Sequence, residues 1–397
     1  MGILNNKVQR CACAGLTLVL AWAWNAGAQG AFEPLKPWRN GVKVAPVSPQ
    51  TSRHTIHSYY RASPESPDGR WALFFSSTTP EGYEGEVRIR NRASGEERVL
   101  ARNVTTEDAH RAACQQWVSR GRRVVFHDLR RGEWVVVAVD IDTRKERVLA
   151  SGRQLGWGQP DSDLVTMYGP HWNPGPHRDL EILNVETGEI RTVVTAEAVL
   201  KTYPREIAKA FGDRPVSIFT SSLSPDLKRV FFKMATPAGG HFRSEQASIR
   251  KLLIVYDLEK SRFLFLRENW GHPGWHPDSR TIINVPTILI ESDNGSVRRI
   301  PDLPVFPDAH PSVSPDARLF VTDTELPPFG GTKGEWGVVV GDMRGKDYVF
   351  LHRFDGSKGA KSWRRNDPHP AFSADGKRVY FNVNATDWTQ LYVAESK

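Results

Sequence analysis

A short pattern recurs seven times along this chain and restricts what the chain can fold into. The copies are "SPDGRWALFFSS" from Ser66, "VSRGRRVVFHD" from Val118, "QPDSDLVTMYG" from Gln159 and "SPDLKRVFFKM" from Ser224, with three more from His276, Ser314 and Ser373. In each, Asp-Gly or its stand-in makes a tight turn between two strands, the second rich in Val, Phe and Ile. β-Rich stretches follow, such as "WVVVAVDIDTRKERVLA" and "KLLIVYDLEKSRFLFL", which read as two further strands joined by a polar turn. Four short strands per unit, repeated at this spacing, is the signature of a β-propeller. The expectation is all-β: one seven-bladed propeller domain over 29–397 with four-stranded antiparallel blades. The last copy ends before its fourth strand, so the segment from Val42 to Val47 is expected to supply it and close the ring. A solenoid would share the periodicity but would want distinct caps, and none is visible. "AEAVLKTYPREIAKAF" reads as a short helical insertion before the fourth blade, interrupted at Pro204.

Residues 1–28 have another character. Lys7 and Arg10 open a segment without acidic residues, Cys11 to Trp24 is mostly apolar, and Ala26-Gly27-Ala28 offers a small-x-small cleavage site. This is the pattern of a secretory signal peptide, too short in its apolar part for a membrane span, and it implies a periplasmic or secreted protein without a membrane span. Cys11 and Cys13 leave with it, so Cys114 stands alone and no internal disulfide is expected. The net charge of +8 loses the two leader cations and stays mildly basic, which favours an acidic partner. Without a recognisable binding motif, nucleic acid is not expected. A monomer is expected.

Blade topology then says which residues meet. The innermost strand runs from one face of the disc to the Asp-Gly turn at the other, and the second strand returns. The residue that starts the first strand and the residue that ends the second therefore share a face. Taking His369 as reference, spacing makes Ala62, Cys114, Leu155, Thr220, His272 and His310 its equivalents. Three of these positions, in consecutive blades, are histidine. His272, His310 and His369 converging on the channel, with Asp367 two residues ahead of the last, form a candidate divalent-metal site. The bland alternative is that each His-Pro pair merely begins a strand. His276 replaces serine in its copy and should only pack or hydrogen-bond.

The end of the returning strand gives Ser76, His127, Tyr168, Lys233, Val285, Asp323 and Asn382. Loops on the same face add His110, His171, His241, Arg243 and Arg365. Imidazole, phenol and cationic groups gathered there suit proton abstraction with acid assistance and stabilisation of an anion, although each alone is commonly an ordinary loop or surface residue. The chain lacks a Gly-x-Ser-x-Gly elbow, a Cys-x-x-Cys pair, a phosphate loop and a dinucleotide fingerprint.

"HPSVSPDARLFVTDT", then "WRRNDPHPAFSADGKRVYFN" and "TQLYVAES", resemble the exported propeller polysaccharide lyases. Oligogalacturonate lyases are the clearest likeness over 271–397 and ulvan lyases a more distant one; earlier segments resemble the generic repeat of TolB-like propellers. The resemblance implies β-elimination on a uronic-acid-containing polysaccharide, with a divalent ion (Mn, Ca or Zn) held by propeller histidines against the uronate carboxylate. His310 and His369 occupy matching positions. Where oligogalacturonate lyases have a His-x-His pair and a nearby glutamine, this chain has Asp367-Pro368-His369.

The reading is an exported lyase of an acidic polysaccharide or oligosaccharide. His272, His310, His369 and Asp367 would hold metal. His127 or His110 would be the base and Tyr168 the acid, with His241 a further catalytic candidate. Arg243 or Arg365 would bind the carboxylate, and His171 and Lys233 would contact substrate. The alternative is a non-catalytic TolB-like periplasmic propeller that binds a protein or glycan. A glycosidase would want two facing carboxylates, and nothing in the sequence pairs Asp367 with Asp323.

Overall fold

A computed structural model describes residues 33–238, 241–243 and 248–396; the leader over 1–28 lies outside the described residues. Seven four-stranded antiparallel sheets form the blades. In six of them the strands follow in chain order from the innermost outward. The seventh takes Ala371–Phe372, Arg378–Val383 and Gln390–Glu395 from the C-terminal end and Lys43–Pro46 from the N-terminal end as its outer strand. Lys43 pairs with Glu395 and Pro46 with Tyr392, so the first and last segments of the ring share one sheet. Among the described residues no helix is long and apolar enough to cross a membrane.

The recurring Ser-x-Asp explains itself once its hydrogen bonds are traced. Ser66 Oγ donates to Asp68 at 2.6 Å and accepts from Trp71 N–H at 2.9 Å, while Asp68 accepts from Arg70 N–H. The arrangement repeats at Ser224 with Asp226, Ser314 with Asp316, and Ser373 with Asp375. The motif is thus a turn whose polar backbone is satisfied by its own side chains. The residue after each aspartate has positive φ: Gly69, Leu227, Ser279, Ala317 and Gly376. In the fifth blade His276 takes the serine's part and its Nδ1 accepts from Asp278 N–H at 3.2 Å.

The second strands fill the gaps between blades. Phe75, Phe126, Val165, Phe232, Ile282, Val321 and Phe381 are all fully buried, which is why these segments read as continuous apolar runs. The insertion before the fourth blade is two helices, Ala196–Thr202 and Pro204–Phe211. Thr195 caps the first by accepting Ala198 N–H, Pro204 starts the second, and Val199, Ile207 and Phe211 anchor both.

The first blade departs from the repeat. Its inner strand, His54–Ile56, pairs with the second strand up to Ile56–Phe75 and resumes only at an isolated Glu65–Ala72 bridge. Residues 57–64 leave the sheet between these points and project into the channel. Spacing alone therefore misplaces Ala62 as an equivalent of His369; the excursion carries Tyr59, Tyr60 and Arg61 inward instead.

The first and seventh blades are joined by side chains as well as by the shared sheet. Thr389 N–H donates to His54 Nδ1 at 2.9 Å, and His54 Nε2 faces the Pro80 carbonyl at 3.2 Å. Burial holds this imidazole neutral, its pKa lowered to about 4, and Nδ1 can accept only while unprotonated. A histidine with a depressed folded-state pKa stabilises fully above its unfolded value near 6.5, and that stability is lost as pH falls toward 4. The shift corresponds to about 3 kcal/mol. Denaturant unfolding between pH 7 and pH 4 should show a smaller acid-induced loss of stability in His54→Gln than in the unaltered protein.

Candidate functional site

Opposite the Asp-turn face, the approaches to the inner strands converge on the channel. Asp323, at the second-strand position of the sixth blade, organises them. It is fully buried, and its carboxylate accepts His310 N–H at 2.6 Å, His310 Nδ1 at 3.0 Å and, from the seventh blade, His369 N–H at 3.1 Å. Asn382 likewise accepts His57 N–H from the first blade, and His127 Nδ1 accepts Leu155 N–H from the third. The polar residue ending a second strand thus latches its blade to the next. This role occupies His127, one of the two residues expected as base, with a backbone bond inside the fold.

The latches leave a tight group of rings. His310 and His369 centroids are 4.6 Å apart, as are His110 and His369, and His272 lies 4.1 Å from His310. Asp367 enters between them. Its Oδ2 is 3.2 Å from His110 Nδ1, 3.9 Å from His369 Nε2 and 4.0 Å from His310 Nε2. Ligand atoms of His110, Asp367 and His369 lie within 4.8 Å of one another. His272 stands at the side of this group, its Nδ1 against the Ala309 carbonyl. Asp367 is crowded by these rings yet 28% exposed, so the group lines a recess. His369 holds φ +46°, as Cys114 and Thr220 do at equivalent positions of other blades with φ +51° and +48°, so this backbone turn belongs to the repeat.

Burial and mutual repulsion dominate the electrostatics of the group. Burial raises the Asp367 pKa, with His310 and Arg364 pulling it back. Burial opposes charge on His310, but Asp323 and Asp367 outweigh it and raise its pKa. Burial, then the neighbouring cationic groups, pushes His110 and His369 well below the usual range. Among the described residues, both ring nitrogens of His369 and Nε2 of His110 lack hydrogen-bond partners, a costly state for buried polar atoms. A bound divalent cation fits this set: a carboxylate oxygen and imidazole nitrogens face one point, and Asp323 behind His310 is the carboxylate–histidine pairing that orients metal ligands. Asp323→Asn should weaken metal binding by about 10–100-fold, read by titration of the purified protein.

The other half of the recess is cationic. Arg111 donates to Tyr168 Oη at 3.0 Å and to Glu107 at 2.8 Å. Burial raises Tyr168 to about 12 and Glu107 to about 7, with Arg111 opposing both. Lys233, Arg250 and Arg364 have neither a hydrogen-bond acceptor nor a carboxylate within 4.0 Å among the described residues. His171 packs on Phe219, which edges Tyr168. The floor comes from the first-blade excursion: Tyr59 stacks on Trp157 at 5.4 Å and meets His369 at 4.6 Å, and Arg61 donates to the Pro273 carbonyl.

Two arginines and one histidine named from the sequence lie elsewhere. Arg365 donates to the carbonyls of Gly356 and Lys358 and adds a smaller pull on Asp367, whereas Arg364, one residue earlier, acts on Asp367, His110 and His369 alike. Arg243 is spent on the Thr106 carbonyl and the Tyr83 ring. His241 is exposed and stacks on Phe242. Sequence reasoning missed His57, Tyr59, Tyr60 and Arg61 because the excursion breaks the repeat register. It missed Arg111, Arg250 and Arg364 because isolated arginines in a basic chain carry no pattern; only the neighbourhood of Arg364 to Asp367 and His369 hinted at it.

Fold and site together define a seven-bladed β-propeller with a cluster of histidines around one carboxylate at one mouth of its channel. Among solved structures, oligogalacturonate lyase from Vibrio parahaemolyticus superimposes with a TM-score of 0.61 at 14% identity, over 90% of this chain and 94% of that one. An oligogalacturonate lyase in complex with manganese gives the same figures. A putative TolB from Agrobacterium tumefaciens reaches a TM-score of 0.39 at 14% identity, over 85% and 90% of the two chains. No family model and no curated protein matches the sequence. The chain shares the propeller fold of the oligogalacturonate lyases; identity this low speaks for the fold and not for the chemistry.

Proposed function

We propose that this protein is an exported polysaccharide lyase that cleaves a uronic-acid-containing glycan by β-elimination. The observation that carries the reading is the juxtaposition of Asp367, within 4.0 Å of three imidazole nitrogens, with the guanidinium groups of Arg250 and Arg364, which have no carboxylate within 4.0 Å among the described residues. His110, His310, His369 and Asp367 would hold a divalent cation. Three nitrogens and one oxygen suit manganese or zinc better than calcium, which prefers oxygen ligands throughout. When bound, the ion neutralises the uronate carboxylate and so makes the C5 proton easier to remove.

The chain's own residues supply the rest. Arg364 and Arg250 face the anionic sugar and keep its carboxylate in the recess. Tyr168, a neutral phenol held by Arg111, would be the donor to the departing oxygen. The Tyr59 and Tyr60 floor closes the channel beneath the substrate. The reading is tested by incubating the protein with pectic, ulvan, alginate and glucuronan polymers, with manganese, zinc, calcium or chelator, and following the ultraviolet absorbance of a 4,5-unsaturated uronate. A metal-dependent rise on one polymer supports it. Binding of an acidic glycan without any rise, under all metals, would establish the non-catalytic reading instead.

A further inference from the structure

Lys233 is an unusual lysine. It ends the second strand of the fourth blade, where other blades place Tyr168, Asp323 and Asn382, and its side chain enters the cationic half of the recess. Nζ lies 4.5 Å from the Trp270 ring centroid and 5.3 Å from that of Phe219. No carboxylate or hydrogen-bond acceptor reaches it among the described residues. Among the described residues the strongest charges on it come from four elements: Arg250 from the adjacent strand, Arg364 from the loop before the seventh blade, Arg61 from the first-blade excursion and Arg111 from the loop before the second. His171 and His272 also feel its charge. Glu107, the nearby acid, is bonded to Arg111.

We propose that Lys233 stands in the recess as a free amine and is the proton acceptor of the elimination; this rests on the lyase reading above. Two physical effects favour the uncharged form. The half-buried ammonium loses part of its water, and the surrounding guanidinium groups repel it, so its pKa is well below the ordinary lysine value. The faces of Trp270 and Phe219 attract a cation but do not cancel several like charges. Such a desolvated lysine beside cationic groups is an activated base. The step balances. The C5 proton moves to the Nζ lone pair, the C–H electron pair becomes the C4–C5 double bond, and the C4–O4 bond breaks with its pair on oxygen. O4 takes the Tyr168 proton, and the Lys233 ammonium returns one to the phenolate. No histidine is needed as base, which leaves His110 to Asp367 and His127 to its latch.

The test has two arms. In the first, the protein is acetylated with limiting acetic anhydride across pH 6–10 and the lysines are compared by peptide mass spectrometry. Lys233 is expected to react at pH 7 at least ten times faster, relative to its rate at pH 10, than exposed Lys361. Titration of Lys233 in step with Lys361 overturns the proposal. In the second arm, Lys233→Met and Lys233→Arg are expected to lower kcat by about 100-fold or more with KM changed only a few-fold, in proteins whose thermal midpoint matches the unaltered one. Undiminished kcat in Lys233→Met overturns the base assignment while leaving the lyase reading intact. An unaltered protein inert on every polyuronate removes that reading, and is told apart because no variant comparison is then required.

Discussion

Asp367→Asn is expected to abolish metal-dependent turnover on a polyuronate, lowering kcat/KM by about 10³-fold, while leaving the thermal midpoint unchanged or slightly raised. The carboxylate sits 3.2–4.0 Å from three imidazole nitrogens, and burial alone raises its pKa. As a structural group it is a poor investment: an acid partly removed from water, facing histidines of which two are pushed toward neutrality. Asparagine keeps the shape, loses the charge and presents an amide that cannot neutralise a cation. Loss of activity without loss of stability is the signature of a residue kept for function. The measurement pairs the ultraviolet assay with metal content of the purified variant and its unfolding midpoint. A variant that retains both metal and turnover would remove Asp367 from the site.

Glu65→Ala should show the opposite pattern, a large loss of stability from a residue outside the recess. The Glu65 side chain is fully buried; it accepts two bonds from Arg378, both 2.8 Å, and one from Tyr380 Oη at 2.5 Å. These bonds run from the first blade to the seventh. Arg378 keeps its bond to Asp375 at 2.7 Å, so its charge stays partly compensated, and the lost buried charge-assisted bonds cost about 2–3 kcal/mol. Tyr380 would also lose the acceptor for its hydroxyl. Equilibrium urea unfolding of Glu65→Ala, with Glu65→Gln as the milder variant, measures it. A change below 1 kcal/mol would mean that the shared outer strand of Lys43–Pro46 and the His54–Thr389 and Asn382–His57 bonds carry the closure without Glu65.

Much of the architecture was legible because its cause is local. The Ser-x-Asp turn satisfies its own backbone through side chains two to five residues apart, so it recurs wherever a blade turns. The apolar second strands are buried on both faces and therefore read as unbroken runs. The closing strand near Val44 followed from counting strands in the last repeat. The helical insertion and its break at Pro204 followed from the missing amide of proline. His272, His310 and His369 were found together because each begins an inner strand in the same register.

The chemistry around those histidines was legible only in part. His110 joins them from a loop before the second blade, and no spacing in the chain brings it beside Asp367. Tyr59 and Tyr60 were hidden by residues 57–64, which shift the first blade out of step. Choosing between Arg364 and Arg365 required knowing which way a non-repeating loop turns. His127 looked like a base because the pattern gives its face but not its hydrogen bonds.

The sequence by itself determined the repeat, its turns and the blade count, since each depends on residues close in the chain and on burial that repeats with it. The tertiary structure alone decided which ionisable groups stand together and which lack a partner. That depends on loops from four or more blades meeting across the channel, where every pair potential falls with distance in space and none with distance along the chain.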